Sequence, residues 1–252
     1  MGDFSMGSKL NIIFGASLCA LAFASPASAA DLGSGFSVTG GATLVSDYRF
    51  RGMSQTDKRF ATQGTFSLNH KSGFYATIWS SSIDDYVAYG SNAEVDLVGG
   101  YRKTFGSTTI DVGVLYYYYP GSHGADTDFV EPYASVAQAI GPVTAKLTAN
   151  YAPKQSALTI GNGKEDNFYI AGDLSAAIPK TPVGLTAHLG HSTGPSYLTI
   201  GRGYTDWSLG ATLTYKQIIA GLAYVDTNKD LYSPRGRNIS GSGIVASLGV
   251  SF

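Results

Sequence analysis

The stretch "GIVASLGVSF" (243–252) places Ile244, Ala246, Leu248, Val250 and Phe252 at every second position. Between them lie Gly243, Ser247, Gly249 and Ser251, with Val245 the one apolar exception. Successive side chains of a strand point to opposite faces, so this alternation predicts a strand with one greasy and one polar side. Its length matters as much as its pattern. Soluble strands average about 5–6 residues, whereas a tilted strand needs roughly 9–11 to cross a bilayer.

Similar alternation recurs upstream at 36–50, 60–69, 74–83, 92–102, 108–119, 128–140, 143–151, 167–178, 183–191, 204–215 and 217–225. With the final segment this predicts twelve strands. The connections alternate in kind. "HKSG", "KTFG", "GP", "PKTP" and "KQ" are short turns, and long polar stretches such as "GMSQTDKR" and "DTNKDLYSPRGRNISGS" fall between them. An up-and-down antiparallel meander with one elaborated end produces that rhythm, and outer-membrane barrels have short periplasmic turns and long external loops. No linker or second domain interrupts the pattern. Beyond residue 31 no run reaches the ~18 apolar residues of a membrane helix.

Parity assigns the faces. Ile110, Val112, Val114, Tyr116 and Tyr118 oppose Asp111 and Gly113, and Ala93, Val95, Leu97 and Tyr101 oppose Glu94, Asp96 and Arg102. A soluble barrel would turn the apolar set inward. A tall uncharged face on an exported chain belongs in lipid, where a midplane Arg or Lys costs roughly 2–4 kcal/mol. Closure then removes every unpaired edge. The segments "FYATIWSSSI" and "QIIAGLAYV" are apolar on both faces, so their orientation stays open.

Export is read from residues 1–29. Lys9 precedes the apolar run "LNIIFGASLCALAFA" (10–24), and Ala27-Ser28-Ala29 offers small residues for cleavage, which together predict a signal peptide. The barrel domain is then 30–252. Cys19, the only cysteine, falls in that leader, so neither disulfides nor cysteine–metal sites are expected in the exported part. Charged residues make up 14% of the chain, against roughly 25% in soluble domains. Seventeen basic against eighteen acidic residues excludes the basic face that a nucleic-acid binder needs.

The stretch "LVSDYRFRGMSQT" (44–56) alternates charges with aromatics. Continuing the parity of the first strand sends Tyr48 and Phe50 outward to an interfacial aromatic girdle, and Asp47, Arg49 and Arg51 inward. A phosphate site would need a glycine-rich nest or a helix N-terminus, and the stretch has neither. The predicted lumen carries the acids Asp47, Glu94, Asp96, Asp111, Glu131, Asp173 and Asp206 and the bases Arg49, Arg51, Arg102 and Lys146. These residues either fill the barrel as internal salt bridges or line a pore whose wall screens solutes by sign, with the acidic excess favouring cations. About eight strands leave an interior filled by side chains and about sixteen to eighteen leave an aqueous channel. Twelve implies a narrow or partly plugged pore.

"LVSDYRFRGMSQT" followed by "ATQGTFSLNHKSGFYATIWSSSID" (61–84) resembles the start of the TorF family of porin-like proteobacterial outer-membrane proteins. "FVEPYASV" (129–136) and "GLAYVDTN" (221–228) are similar to it as well, so the resemblance spans the whole exported part. It implies a Gram-negative outer-membrane location, contact with outer-membrane lipid and passage of small hydrophilic solutes. It transfers no site residues. The strand ending at Phe252 is similar to the signal read by the outer-membrane assembly machinery.

Enzymatic readings fare poorly, and neither an enzyme nor a cofactor is expected. Lipolytic barrels resemble one another in a His-x-Ser on one face, but His191 directly precedes Ser192 here and the two point apart. "DTNKD" (226–230) lacks the Gly and Glu of a calcium loop. "GNGK" (161–164) lacks P-loop spacing. The serious rival to a channel is a closed barrel that acts through its external loops. Nitroxide labels at Val112 and Leu248 should report collision with lipid-soluble oxygen rather than with an aqueous relaxant, and water contact at both would overturn the outward apolar face.

Overall fold

A computed structural model describes residues 30–161 and 163–252, so the expected leader, with Lys9 and Cys19, lies outside the described residues. The strands are β1 (Ala30–Gly33), β2 (Phe36–Val45), β3 (Arg49–Phe50), β4 (Met53–Ser54), β5 (Ala61–His70), β6 (Phe74–Ser82), β7 (Ala93–Phe105) and β8 (Thr108–Tyr118). They continue as β9 (Phe129–Ile140), β10 (Val143–Ile160), β11 (Gly163–Ala177), β12 (Val183–Thr193), β13 (Tyr204–Tyr215), β14 (Ile218–Thr227) and β15 (Gly243–Ser251). β2 and the run from β5 to β15 form a closed twelve-stranded antiparallel barrel, because β2 pairs with both β5 and β15. The connections expected to be short are short. No helix among the described residues is long and apolar enough to cross a membrane.

The parity of the faces holds around the cylinder. Val112 is 44% exposed on the outside, while Asp111 beside it is buried. Leu97, Leu147, Leu174, Leu209, Leu213 and Leu248 are likewise exposed, and Asp96, Asp206 and Ser208 are buried within. The two ambiguous segments resolve in the same way. β6 turns Phe74 and Ile78 outward and Trp79 inward, and β14 turns Ile218 and Leu222 outward and Ile219 and Val225 inward.

Strands β7, β12 and β14 run two or three residues past their expected ends, and two larger differences stand out. The first wall strand ends at Val45 rather than 50, because the chain then leaves the wall and enters the lumen. Inside, Arg49 pairs with Ser54 and Phe50 with Met53, forming a hairpin around Arg51 and Gly52. Those two residues have φ of 48° and 79°, the paired left-handed geometry of the two-residue turn that suits a hairpin. The second difference is the hairpin of β10 and β11, which continues through the loop expected between them. Gln155 lies opposite Glu165 and Ile160 opposite Gly163 in this extension, and the Gln155 side chain also exchanges two hydrogen bonds with the Val130 backbone of β9, at 2.8 and 2.9 Å.

The seam joins distant parts of the chain. Leu248 lies opposite Leu44, and Phe252 and Gly40 exchange two backbone hydrogen bonds of 2.9 Å each. Beyond them β1 takes over the same edge of β2, with Ala30 opposite Val38. Gly40 leaves room for the last side chain, since a Cβ there would stand 2.6 Å from Phe252 Cζ. Inside the barrel, Gly100 and Gly113 similarly seat the rings of Tyr75 and Tyr133. Gly40→Val should therefore displace Phe252 and destabilise the barrel by about 1–3 kcal/mol in denaturant unfolding. An unchanged midpoint would show that the seam tolerates a side chain there.

Candidate functional site

The candidate site is the lumen, where residues 47–57 fold inward between β2 and β5. Arg51, at the tip of the inner hairpin, is 2% exposed, and its partner Glu131 on β9 is 0% exposed. Nη2 of Arg51 donates to both carboxylate oxygens at 2.6 and 2.7 Å. Nη1 donates to Asn167 Oδ1 at 2.9 Å. The guanidinium also packs over the rings of Tyr169, 4.2 Å away, and Phe50, 4.8 Å away. Glu131 accepts further from Tyr117 and Asn150, each at 3.1 Å. Two charges sealed from solvent persist only with such dense hydrogen bonding.

Around this centre lies a second set of anchors. Arg49 Nε meets Asp47 Oδ2 at 2.5 Å, and Nη1 of Arg49 donates to the carbonyls of Gly52, Ile239 and Gly241. Asp47 in turn accepts from Ser54 at 2.5 Å. Tyr48 donates to Glu94 Oε1 at 2.9 Å and packs against Trp79. Tyr48 is 4% exposed, so the outward girdle expected of Tyr48 and Phe50 is corrected. Strict alternation ends where the strand ends, and both rings turn inward with the loop. Phe50 meets Tyr117 edge-on at 6.0 Å.

Glu94 and Asp96 sit side by side in parity on β7, both buried. Tyr48 and its neighbours answer Glu94, whereas Asp96 Oδ1 has no hydrogen-bond partner. Toward the short-turn end the interior opens. There Arg102 Nε donates to Asp111 Oδ2 at 2.9 Å, and Tyr75 donates to Asp111 Oδ1 at 2.7 Å. Lys146 on β10 lies opposite Asp173 on β11. His188 bridges Asp173 at 2.7 Å and Asp206 at 2.9 Å, and Asp206 also receives Tyr169.

All eleven charged residues selected from the sequence therefore face the interior, yet they split into two strata. Asp47, Arg49, Arg51, Glu94, Asp96, Glu131 and Asp206 are buried in the plugged half. Arg102, Lys146 and Asp173 belong to the more open half, with Asp111 buried beneath Arg102. Sequence reasoning misplaced Tyr48 and passed over Asn167, Tyr169 and His188. The parity of β12 carries a signal for His188, which shares the inward face with Ser192. His191 points outward to Thr205, opposite the buried Ser192. No group of three or more His, Cys, Asp or Glu residues is placed to hold a metal among the described residues.

At the long-loop end, arginines tie three loops together. Arg235 Nη1 meets Asp84 Oδ1 at 2.6 Å, Arg59 pairs with the other Asp84 oxygen, and Arg237 donates to the Asp57 carbonyl at 2.5 Å. Burial works to raise the Asp84 carboxyl, but hydrogen bonds from Arg235 and Arg59 overcome it and hold the group below its ordinary 3.8. A depressed folded-state value means that this contribution is present above the unfolded value and disappears as pH falls through the folded one.

The family model described as "Bacterial protein of unknown function (Gcw_chp)" matches residues 29–252. None of the curated proteins matches the sequence. Among solved structures the fold is similar to the NanC porin, with a TM-score of 0.60 and 13% identity, covering 85% of this chain and 98% of that one. It is also similar to an outer membrane channel from Pseudomonas putida F1, with a TM-score of 0.50 and 11% identity, covering 91% and 99%. At these identities the likeness is one of fold.

Hydrogen exchange of 57–60 and 233–237, corrected for intrinsic rate, should rise as pH falls below about 4. Asp84→Asn should show the raised exchange already at neutral pH. Equal, pH-independent protection in both proteins would remove Asp84 from the loop clasp.

Proposed function

We propose that this chain, which belongs to the bacterial family Gcw_chp, is an outer-membrane porin of the TorF kind. It resides in the outer membrane of a Gram-negative bacterium and passes small hydrophilic solutes or ions by diffusion. One observation carries this reading: a closed cylinder of twelve strands is apolar outside and polar and charged inside along its length. Apolar residues in contact with lipid hold the wall in place, and the polar interior offers hydrated solutes a route they lack in hydrocarbon. The export leader and the strand ending at Phe252, offered to the assembly machinery, belong to the same reading. The long loops then face outside and the short turns face the periplasm.

Pairing inside the lumen sharpens the expected selectivity. Asp47 is answered by Arg49, Glu131 by Arg51 and Asp111 by Arg102. Lys146 and His188 lie beside Asp173, and His188 also meets Asp206, while Glu94 and Asp96 add two further acids, which leaves acid in excess and supports a mild cation preference. A His–Ser lipolytic pair is not part of this reading, because His191 and Ser192 lie on opposite faces.

A second reading, a closed barrel acting through its external loops, is favoured by the sealed half of the lumen, where Glu131 and Asn167 are fully buried. Planar-bilayer recordings separate the two. Discrete conductance steps with a reversal potential on the cation side of a salt gradient are expected. Anion preference would overturn the selectivity, and silence from a folded barrel even with its lumen cleared would favour the loop function.

A further inference from the structure

We infer that the inward segment 47–57 is a displaceable plug, and that the Arg51–Glu131 pair is the latch that holds it in the lumen. This rests on the channel reading and names the regulation of that same route. The wall does not need the plug. The twelve wall strands pair with one another, whereas the backbone of 47–57 bonds to itself and to two other loops, through Ser54 to Ile239 and Gln55 to Asp84. Its attachment to the wall runs through side chains: Tyr48 to Glu94 on β7, and Arg51 to Glu131 on β9 and Asn167 on β11. Withdrawal therefore breaks no rung of the barrel.

The plug is also held under tension that an apolar filling would lack. Arg49 Nη2, Arg51 Nε and Asp57 Oδ1 are buried without hydrogen-bond partners, and Asp57 Oδ2 has only the longer ion pairs to Arg235 and Arg237, at 3.9 and 4.0 Å. Arg51, Asp57 and Lys58 adopt left-handed backbone at φ of 48°, 53° and 56°, so the tip and the exit of the segment both occupy conformations unfavourable to side chains. Against these costs stands the ion pair, which is strong only while both charges remain. Removing one member of a buried pair strands the other, so the seated state is sensitive to loss of either group. Glu131 is the fixed half, since Tyr117 and Asn150 hold it on the wall whether or not the hairpin is present. Arg51 is the moving half.

The test records single channels from four folded, detergent-purified proteins, with barrel formation checked by heat-modifiable migration. They are the unaltered chain, Glu131→Gln, Arg51→Met, and a chain in which 47–58 is replaced by a short Gly-Ser turn. The replaced chain should conduct continuously. Glu131→Gln and Arg51→Met should each raise the open fraction of the unaltered chain about tenfold or more. Arg51→Met alters only a loop residue, so it reports even where Glu131→Gln fails to fold. If the replaced chain conducts but the Arg51 variant behaves like the unaltered one, the latch is overturned and the channel stands. Full conductance in the unaltered chain overturns the plug. Silence in the replaced chain overturns the channel reading itself.

Discussion

Backbone amides and carbonyls cannot be left unpaired in hydrocarbon, and this constraint governs the whole molecule. Twelve strands satisfy it only by closing, and β2 supplies the closure by pairing with β5 on one side and β15 on the other. Once the ladder is closed, side-chain parity is no longer free. Every even step on one strand commits its neighbours, which is why Leu97, Leu174 and Leu248 appear outside and Asp96, Asp111 and Glu131 inside.

The interior then faces a different problem. A barrel of this size encloses more volume than its own inward side chains fill, and this chain fills one half with a segment of itself. The filling is polar. Asp47, Arg49, Arg51 and Glu131 are buried as pairs, with tyrosines supplying hydroxyls and stacking surface. Apolar residues of the same volume would pack more stably in many settings, since buried ion pairs gain little over hydrophobic replacements. A charged filling has the opposite virtue: it can be solvated when it leaves.

The fold was largely legible because a two-residue period over ten residues is a strong signal, and short and long connections alternate with it. β8, β9, β13 and β15 fall within a residue or so of their expected bounds. What parity cannot encode is the point where a strand stops. Residues 46–50 continue the alternation of β2, yet beyond Ser46 the chain leaves the wall, so the same pattern that located Arg49 and Arg51 misplaced Tyr48 and Phe50. The signal for departure was "RG" at 51–52, a turn pair set between residues that alternate. Partners such as Asn167 and Tyr169 were invisible for another reason. Their roles arise across the barrel, from strands more than a hundred residues away from Arg51.

The shared edge of β2 has a consequence for how the molecule is made. Residues near 30 and residue 252 meet on one strand, so the cylinder has no rank order among its staves: each is equivalent to the next around the ring. Strand order in synthesis is thus separable from position in space. A rearranged gene that joined residue 252 to residue 30 and opened any short turn would encode the same cylinder. In the natural order, the stretch of β2 from Gly41 to Val45 keeps one edge unpaired until β15 has been delivered.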